Sequence, residues 1–266
     1  IAMDILKREL APISAEAWKE IDEQVKKVLV NNLSARKFVD VVGPMGWDYA
    51  ACPTGKVETV KACEGKDICL GVRQVLPLVE PRVEFELCLW ELDNITRGLK
   101  NPDLSPLEEA ARQMARFEEE AIYKGLKEGN IVGLKEATTD RSVKVSMEES
   151  SFLSGVADAV SSLKSSGVEG PYALVAGAKI WKWILSRAEG YPLAKRIEAF
   201  AEKIICAPYI DEAYVLSLRG GDMELILGVD FSLGFVNRSA ESVKLFLTES
   251  FTFRVVNPEA ILRLEV

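Results

Sequence analysis

Between Leu78 and Leu89 the chain alternates apolar and charged residues in the pattern of a strand with one dry and one wet face. Val79, Val83, Phe85, Leu87 and Leu89 take the odd positions, and Glu80, Arg82, Glu84 and Glu86 fall between them. Successive side chains of a strand point to opposite faces, so the pattern predicts one apolar and one charged face. The run exceeds the five or six residues of an ordinary strand. Pro81 interrupts it and cannot donate to a ladder, which places that end on an edge or at a bulge. The run passes straight into Trp90-Glu91-Leu92-Asp93-Asn94, with the indole on the charged parity. An indole so placed either stacks with a flat ligand or a neighbouring subunit, or covers a turn at 91–94. A strand of this reach points to assembly before catalysis.

The composition narrows the chemistry. The chain has no histidine, which removes the commonest general base, the Ser-His and Cys-His nucleophile pairs, and most zinc sites. Its 33 Lys and Arg against 41 Asp and Glu leave a net charge of −8. That balance disfavours nucleic acid and anionic membrane as partners, because both need clustered cations. No apolar run approaches the length of a membrane span, and Ile1 to Leu10 has no signal-peptide core. Five scattered cysteines without a C-x-x-C pair read as reduced thiols of a cytoplasmic protein, although Cys63 and Cys69 could meet across a hairpin. At 266 residues the chain can bury a substantial core, as one large domain or two intertwined ones.

Along the chain, Ser14 caps a first helix whose apolar stripe is Trp18, Ile21, Val25, Val28, Leu29 and Leu33. A short strand follows over 38–42, stopped by Gly43-Pro44. Residues 45–77 are richer in Gly, Pro and charge. They predict two strand-like pieces, 56–62 and 67–73, around Glu64-Gly65-Lys66, a polar hairpin that extends as an arm. Ser105 is expected to cap a second helix with the stripe Leu107, Ala110, Ala111, Met114, Phe117, Ala121 and Ile122, ended by Gly125. Within it, Glu118-Glu119-Glu120 reads as a solvated turn rather than a metal cluster. Helices are expected over 149–164, 179–187 and 193–202, and strands over 172–176, 203–206, 212–218, 223–227, 230–236, 242–256 and 261–266. In the long strand at 242–256, Val243, Leu245, Leu247, Phe251, Phe253 and Val255 share one face and Glu249 breaks it. Helices and strands mix without βαβ alternation, so the class is α+β.

Two further motifs carry little chemistry. Arg219-Gly220-Gly221-Asp222 lies between two strands with no helix behind it and reads as a hairpin turn rather than a phosphate loop. Trp181 and Trp183 stand two apart on a short helix, which predicts one in the core and one at an interface.

Five separated blocks then carry a resemblance. They are Arg36-Lys37-Phe38-Val39-Asp40-Val41 with Gly43-Pro44 and Trp47; Leu89-Trp90-Glu91-Leu92-Asp93-Asn94; Glu169-Gly170-Pro171-Tyr172; Leu227-Gly228 with Asp230; and Glu249-Ser250-Phe251-Thr252-Phe253 with Val256-Asn257-Pro258-Glu259-Ala260. In this order, over essentially the whole chain, they resemble an encapsulin shell protein. The resemblance implies an α+β fold of the tailed-phage major-capsid (Hong Kong 97-like) type with a peripheral domain, an axial domain and an extended loop. Residues 1–44 would hold the N-terminal helix and begin the peripheral domain, and 45–77 would be the extended loop. The stretch 78–132 would be peripheral domain with its long helix, 133–225 the axial domain, and 226–266 the return to the peripheral domain.

The same resemblance implies a homo-oligomer that closes into an icosahedral shell in the cytoplasm. Such a shell encloses cargo, a ferritin-like iron-storage protein or a dye-decolourising peroxidase, and is a container rather than an enzyme. Cargo would be held through a C-terminal targeting peptide in a groove at Leu29, Leu33, Arg36, Asp40, Asp230, Phe231, Leu233 and Gly234. An apolar helix stripe beside a strand is physically suited to that, although Leu29 and Leu33 could equally pack under the core. The loop Glu189-Gly190-Tyr191 resembles the tip that rings a five-fold pore, where repeated Glu189 would favour cations. Some encapsulins bind flavin through a tryptophan, which implies FMN at Trp90 with Arg82. Arg82 lies eight residues away, about 26 Å along an extended strand, so a bulge or a second subunit would have to bring the two together. No metal site is expected. A phage major capsid protein shares the fold but must enclose DNA, and the acidic balance and the amphipathic first helix argue against it. Relatives have been labelled proteases or bacteriocins, but this chain has no nucleophile dyad.

Overall fold

The computed structural model describes residues 5–59 and 70–266. The expected turn at 64–66 and the Cys63–Cys69 pairing lie outside the described residues. Cys52, Cys88 and Cys206 are free thiols.

The first helix, α1 (Ala15–Asn32), starts where Ser14 accepts a hydrogen bond from the Ala17 N–H, and it buries Ala17, Ile21, Val25, Val28 and Leu29. A 3-10 turn at Ala35–Lys37 leads to β1 (Asp40–Val42). The expected strand over 38–42 is shorter because Phe38 and Val39 turn into the core instead. The arm is a hairpin of β2 (Ala51–Thr59) and β3 (Gly71–Pro77), paired from Ala51↔Pro77 outward. Its strands begin nearer the root than the polar pattern suggested, and most of their side chains face solvent.

The long alternating run is not one strand. β4 covers Arg82–Cys88 only, and Val79 makes an isolated bridge to Phe251 on the far side of Pro81. Phe85 and Leu87 are buried while Arg82, Glu84 and Glu86 are exposed, so the parity stands. At Leu89 the backbone enters α2 (Leu89–Thr96), which buries Leu92. Trp90 therefore lies in the first turn of a helix rather than at a strand end. α3 (Ser105–Lys124) follows. Its first turn is held by Asp103, whose carboxylate accepts from both the Ser105 N–H and hydroxyl, so Ser105 is the first helical residue rather than the cap. Gly125 ends the helix at φ 90°, and a Cβ there would lie 2.8 Å from the Ile131 carbonyl oxygen.

The remaining elements are α4 (Leu134–Ala137), β5 (Ser142–Lys144), α5 (Glu149–Ser165), β6 (Tyr172–Gly177), α6 (Ala178–Ser186), α7 (Leu193–Ile197), β7 (Lys203–Ala207), β8 (Ala213–Ser217), β9 (Met223–Arg238), β10 (Ser242–Val255) and β11 (Ile261–Glu265). They form two sheets beside the arm. One has the order β1-β9-β10-β4 and the other β5-β11-β8-β6-β7. The strands expected at 223–227 and 230–236 are one strand, because Gly228 lets the ladder run through. A Cβ on it would come within 2.5 Å of Ser250 Oγ. β11 inserts between β5 and β8, so residues 261–265 join the sheet of segment 133–225 and not that of 226–256. Arg219–Asp222 is not a hairpin, since it carries the chain from β8 in one sheet to β9 in the other, with Gly220 and Gly221 at φ 83° and 79°.

Three cores result. α1, α3 and β4 pack on Leu233, Val243, Leu245 and Leu247. Tyr123, Tyr214, Phe251 and Phe253 fill the space between the sheets. α5, α6 and α7 cover the five-stranded sheet. The expected single apolar face of β10 thus serves two cores, and the register shifts between Thr248 and Phe251 mark the change. Trp181 and Trp183 both pack, half-buried, against the third core, with Trp183 edge-on to Phe152 at 5.3 Å. No helix among the described residues is long and apolar enough to cross a membrane.

Candidate functional site

The second half of α1 and the middle of β9 enclose a hollow of about 470 Å³. Val25, Leu29 and Leu33 lie one helical turn apart and line one wall. Phe231 and Leu233, two apart on a strand, line the facing wall, and Leu247 of β10 closes the floor. β1 pairs with β9 only at Glu224–Ile226, so the rest of that edge is free of β1. Further along it the Phe235 N–H donates to the Leu6 carbonyl at 2.8 Å, which lays the N-terminal segment beside the strand. Arg8 of that segment binds Asp22 at 2.8 Å and stacks on Trp18 at 4.0 Å. Arg8, Asp22, Lys26, Arg36 and Asp230 form a charged rim.

Behind this rim lies a buried ionic cluster. Arg36 directs Nε and Nη2 at Glu118, at 2.9 and 2.5 Å, and Nη1 at Asp230 Oδ1, at 2.9 Å. Nη2 also reaches Glu249 Oε2 at 3.4 Å, and the guanidinium covers the Phe231 ring at 4.8 Å. Glu119 accepts from the Ala35 N–H at 2.8 Å and from the Ser34 hydroxyl, which also meets Tyr123 Oη at 2.8 Å. The turn after α1 is thus tied to α3 by two successive glutamates.

This corrects the reading of 118–120 as a solvated turn. Glu118 and Glu119 have no exposed surface, and only Glu120 reaches water, where it pairs with Lys124 and Arg116. The signal was available, since Met114, Glu118 and Ile122 are successive i, i+4 neighbours on the apolar stripe. Among the described residues no group of three or more Asp, Glu or Cys is placed to hold a metal ion.

Burial sets the protonation of this cluster. It raises Glu119 to about 7, against the opposing hydrogen bonds from Ser34 and Ala35. Burial, then the charge of Glu118, pushes Glu249 well above the ordinary carboxylate range, with Arg36 opposing. For Arg36 burial alone would lower the pKa, but the Glu118 hydrogen bond and the charges of Glu118, Asp230 and Glu249 together carry it above the usual arginine value.

Of the groove residues expected from the sequence, Leu29, Leu33, Arg36, Asp230, Phe231 and Leu233 meet at the hollow. Asp40 does not. Its carboxylate accepts from the Gly221 N–H and secures the turn between the two sheets. Gly234 follows Leu233 and so faces the opposite side of β9, where a Cβ would come within 2.1 Å of the Phe246 ring. Leu6, Arg8, Asp22, Lys26 and Leu247 were not expected. Val25 was readable, one turn before Leu29 on the same stripe.

The other expected sites are separate. Glu189, Gly190 and Tyr191 lie exposed between α6 and α7, with Gly190 at φ 68° and Tyr191 at 71 % exposure. Trp90 is 68 % exposed, with the Arg97 guanidinium 5.6 Å from its ring centre. Arg82 instead stacks on Phe246 at 4.1 Å and pairs with Glu80. Within one chain the cationic neighbour of Trp90 is Arg97 rather than Arg82.

Comparison with known proteins bears on what the hollow serves. Residues 3–252 match the family described as an encapsulating protein for peroxidase. The chain is 39% identical to a type 1 encapsulin shell protein of Rhodospirillum rubrum, over 97% of this chain and 95% of that one. Its fold is similar to that of a virus-like particle from Pyrococcus furiosus (TM-score 0.69, 18% identity, 94% of this chain and 100% of the other). It is also similar to the capsid of Myoviridae phage XM1 (TM-score 0.57, 13% identity, 87% and 91%).

Proposed function

The chain belongs to the encapsulin family, a structural shell protein of capsid-like fold and not an enzyme, and we propose that the hollow between α1 and β9 is its cargo seat. The occupant is an extended C-terminal peptide of an enclosed protein. The observation that carries this reading is the pairing of an apolar cleft with a charged rim beside a strand edge that β1 leaves uncovered. A short peptide can set two or three apolar side chains against Leu29, Leu33, Phe231 and Leu233. Burial of each contributes roughly 1.5–3 kcal/mol, enough in sum for a reversible attachment that many copies in one shell strengthen.

A peroxidase is the favoured cargo, because the matching family is described by that role. A ferritin-like protein is the alternative outcome. Assembly is served by the arm. Val57, Val72 and Val75 on β2 and β3 are half exposed or more, and a two-stranded ribbon with bare apolar residues is stable only against another surface, here a second copy of the chain.

Co-expression with a peroxidase that ends in a C-terminal targeting peptide, followed by sizing of the shells, tests the seat. Wild-type shells are expected to carry the enzyme, and Leu33→Asp shells to form without it. The milder Phe231→Ala is expected to lower loading. Full loading of both variants would contradict the assignment.

A further inference from the structure

Glu118 of α3 and Glu249 of β10 are both without exposed surface, and both accept from the same nitrogen, Nη2 of Arg36, at 2.5 and 3.4 Å. The opposite nitrogen, Nη1, reaches Asp230, whose side chain is half exposed. One cation thus faces three carboxylates, two of them beyond the reach of water. A single guanidinium that is also shared with a third carboxylate does not offset the charge of two buried ones, which favours the neutral form of Glu249. Among the described residues Glu249 Oε1 has no hydrogen-bond partner, so no donor there neutralises that end of the group. An orphaned, fully buried oxygen of this kind calls for a specific account.

We propose that Glu249 carries a proton beside Glu118, and that this proton sets the strength of the Arg36–Asp230 pair at the mouth of the cargo seat. The inference rests on the hollow being that seat. With the proton in place Glu249 is neutral, and Arg36 divides its charge between Glu118 and Asp230. When the proton passes to water, Glu249 becomes a buried anion and draws the guanidinium inward. Asp230 then loses its partner and turns to solvent. The seat therefore presents a closed ion pair on the acid side and a free carboxylate on the alkaline side, where a ligand carrying a cationic residue is favoured.

Glu249 acts here through Arg36 and is a positioning residue. The charged groups that face it are Glu118 from α3, Arg36 from the turn after α1, and Asp230 from β9. Glu119 engages Ser34 and Ala35 instead, and its charge falls on Tyr123 and Tyr209. Burial and the charge of Glu118 both favour the protonated form of Glu249, in keeping with this arrangement.

The backbone supplies a reporter. The Phe231 N–H donates to Asp230 Oδ1 at 2.9 Å, so Asp230 cannot turn away without exposing that amide. Infrared titration of assembled, cargo-free shells is expected to show a protonated-carboxyl band, additional to that of Glu119 near pH 7, that fades as the pH rises and is missing in Glu249→Gln. Above that transition, hydrogen exchange at Phe231 is expected to run several-fold faster in the wild type than in Glu249→Gln at the same pH. That additional band absent from the wild type, or equal in both proteins, would overturn the proton on Glu249. A titrating band with equal exchange at Phe231 would overturn its control of Asp230. If Glu249→Gln does not assemble, the wild-type titration still decides, with Phe231 exchange compared across the band's midpoint after correction for the intrinsic pH dependence. Neither readout uses cargo, so failure of wild-type shells to load would count against the seat alone.

Discussion

Arg36 Nη1 meets Asp230 Oδ1 at 2.9 Å across the mouth of the hollow, while the rest of the guanidinium is turned inward to Glu118 and Glu249. The arginine therefore joins the exposed rim of the seat to the buried interior of the subunit. Its two sides differ sharply in energetic weight.

Removing the cation should be costly. Arg36→Ala leaves the buried Glu118 without its partner, and a loss of about 3–5 kcal/mol is expected. Asp230→Asn acts on a half-exposed pair and is expected to cost within about 1 kcal/mol. Urea unfolding of the two variants beside the wild type measures both. Equal losses would mean that the inward contacts contribute little.

Glu119 gives the fold a pH dependence whose sign follows from burial. Its pKa rises from 4.5 to about 7 on folding, so the folded state holds the proton more tightly than the unfolded chain. The contribution is full below about 4.5 and is lost as the pH rises to about 7, a change on the order of 3 kcal/mol. Glu119→Gln keeps the geometry at Ser34 and Ala35 and cannot ionise. Stability measured from pH 4.5 to 7 is expected to fall in the wild type and to stay flatter in the variant.

Much of this was legible in the sequence, and the failures share a cause. The stripe Val25, Leu29 and Leu33 declared one wall of the hollow, because helical spacing survives any tertiary context. The parity of Val83, Phe85 and Leu87 declared the inner face of β4. What could not be read was where the alternating run starts and stops as a strand. Pro81 divided the run at one end, and at the other the burial of Leu92 favoured a helix over two more strand residues. Glu118 and Glu119 were taken for solvated residues because charge dominates a local reading, whereas their partners Arg36, Ser34 and Ala35 lie more than 80 positions away. Asp40 and Gly234 matched the resemblance by position, but the Asp40 carboxylate secures a turn and the Cα hydrogen side of Gly234 faces Phe246 on the opposite face of β9.

Gly234 makes that last distinction measurable. With Phe246 directly over it, Gly234→Ala forces the ring aside and is expected to cost about 1–3 kcal/mol through overpacking. Shells that do form should load cargo as well as the wild type. A selective loss of loading at unchanged stability would return Gly234 to the seat.

The arm buries little within its own subunit. Val72→Asp together with Val75→Asp is therefore expected to leave the circular dichroism of the folded chain intact while shifting sedimentation from shells to small species. Closed shells of normal size from this double variant would exclude the β2–β3 ribbon from assembly.

The most direct measurement is electron microscopy of shells purified with their cargo, refined to side-chain detail on the inner surface. The expected result is extra, extended density lying between Leu29 and Leu33 at the end of the first helix and Phe231 and Leu233 of β9, absent from cargo-free shells. Loaded shells with that hollow empty, and the cargo's tail bound elsewhere, would contradict the assignment of the seat.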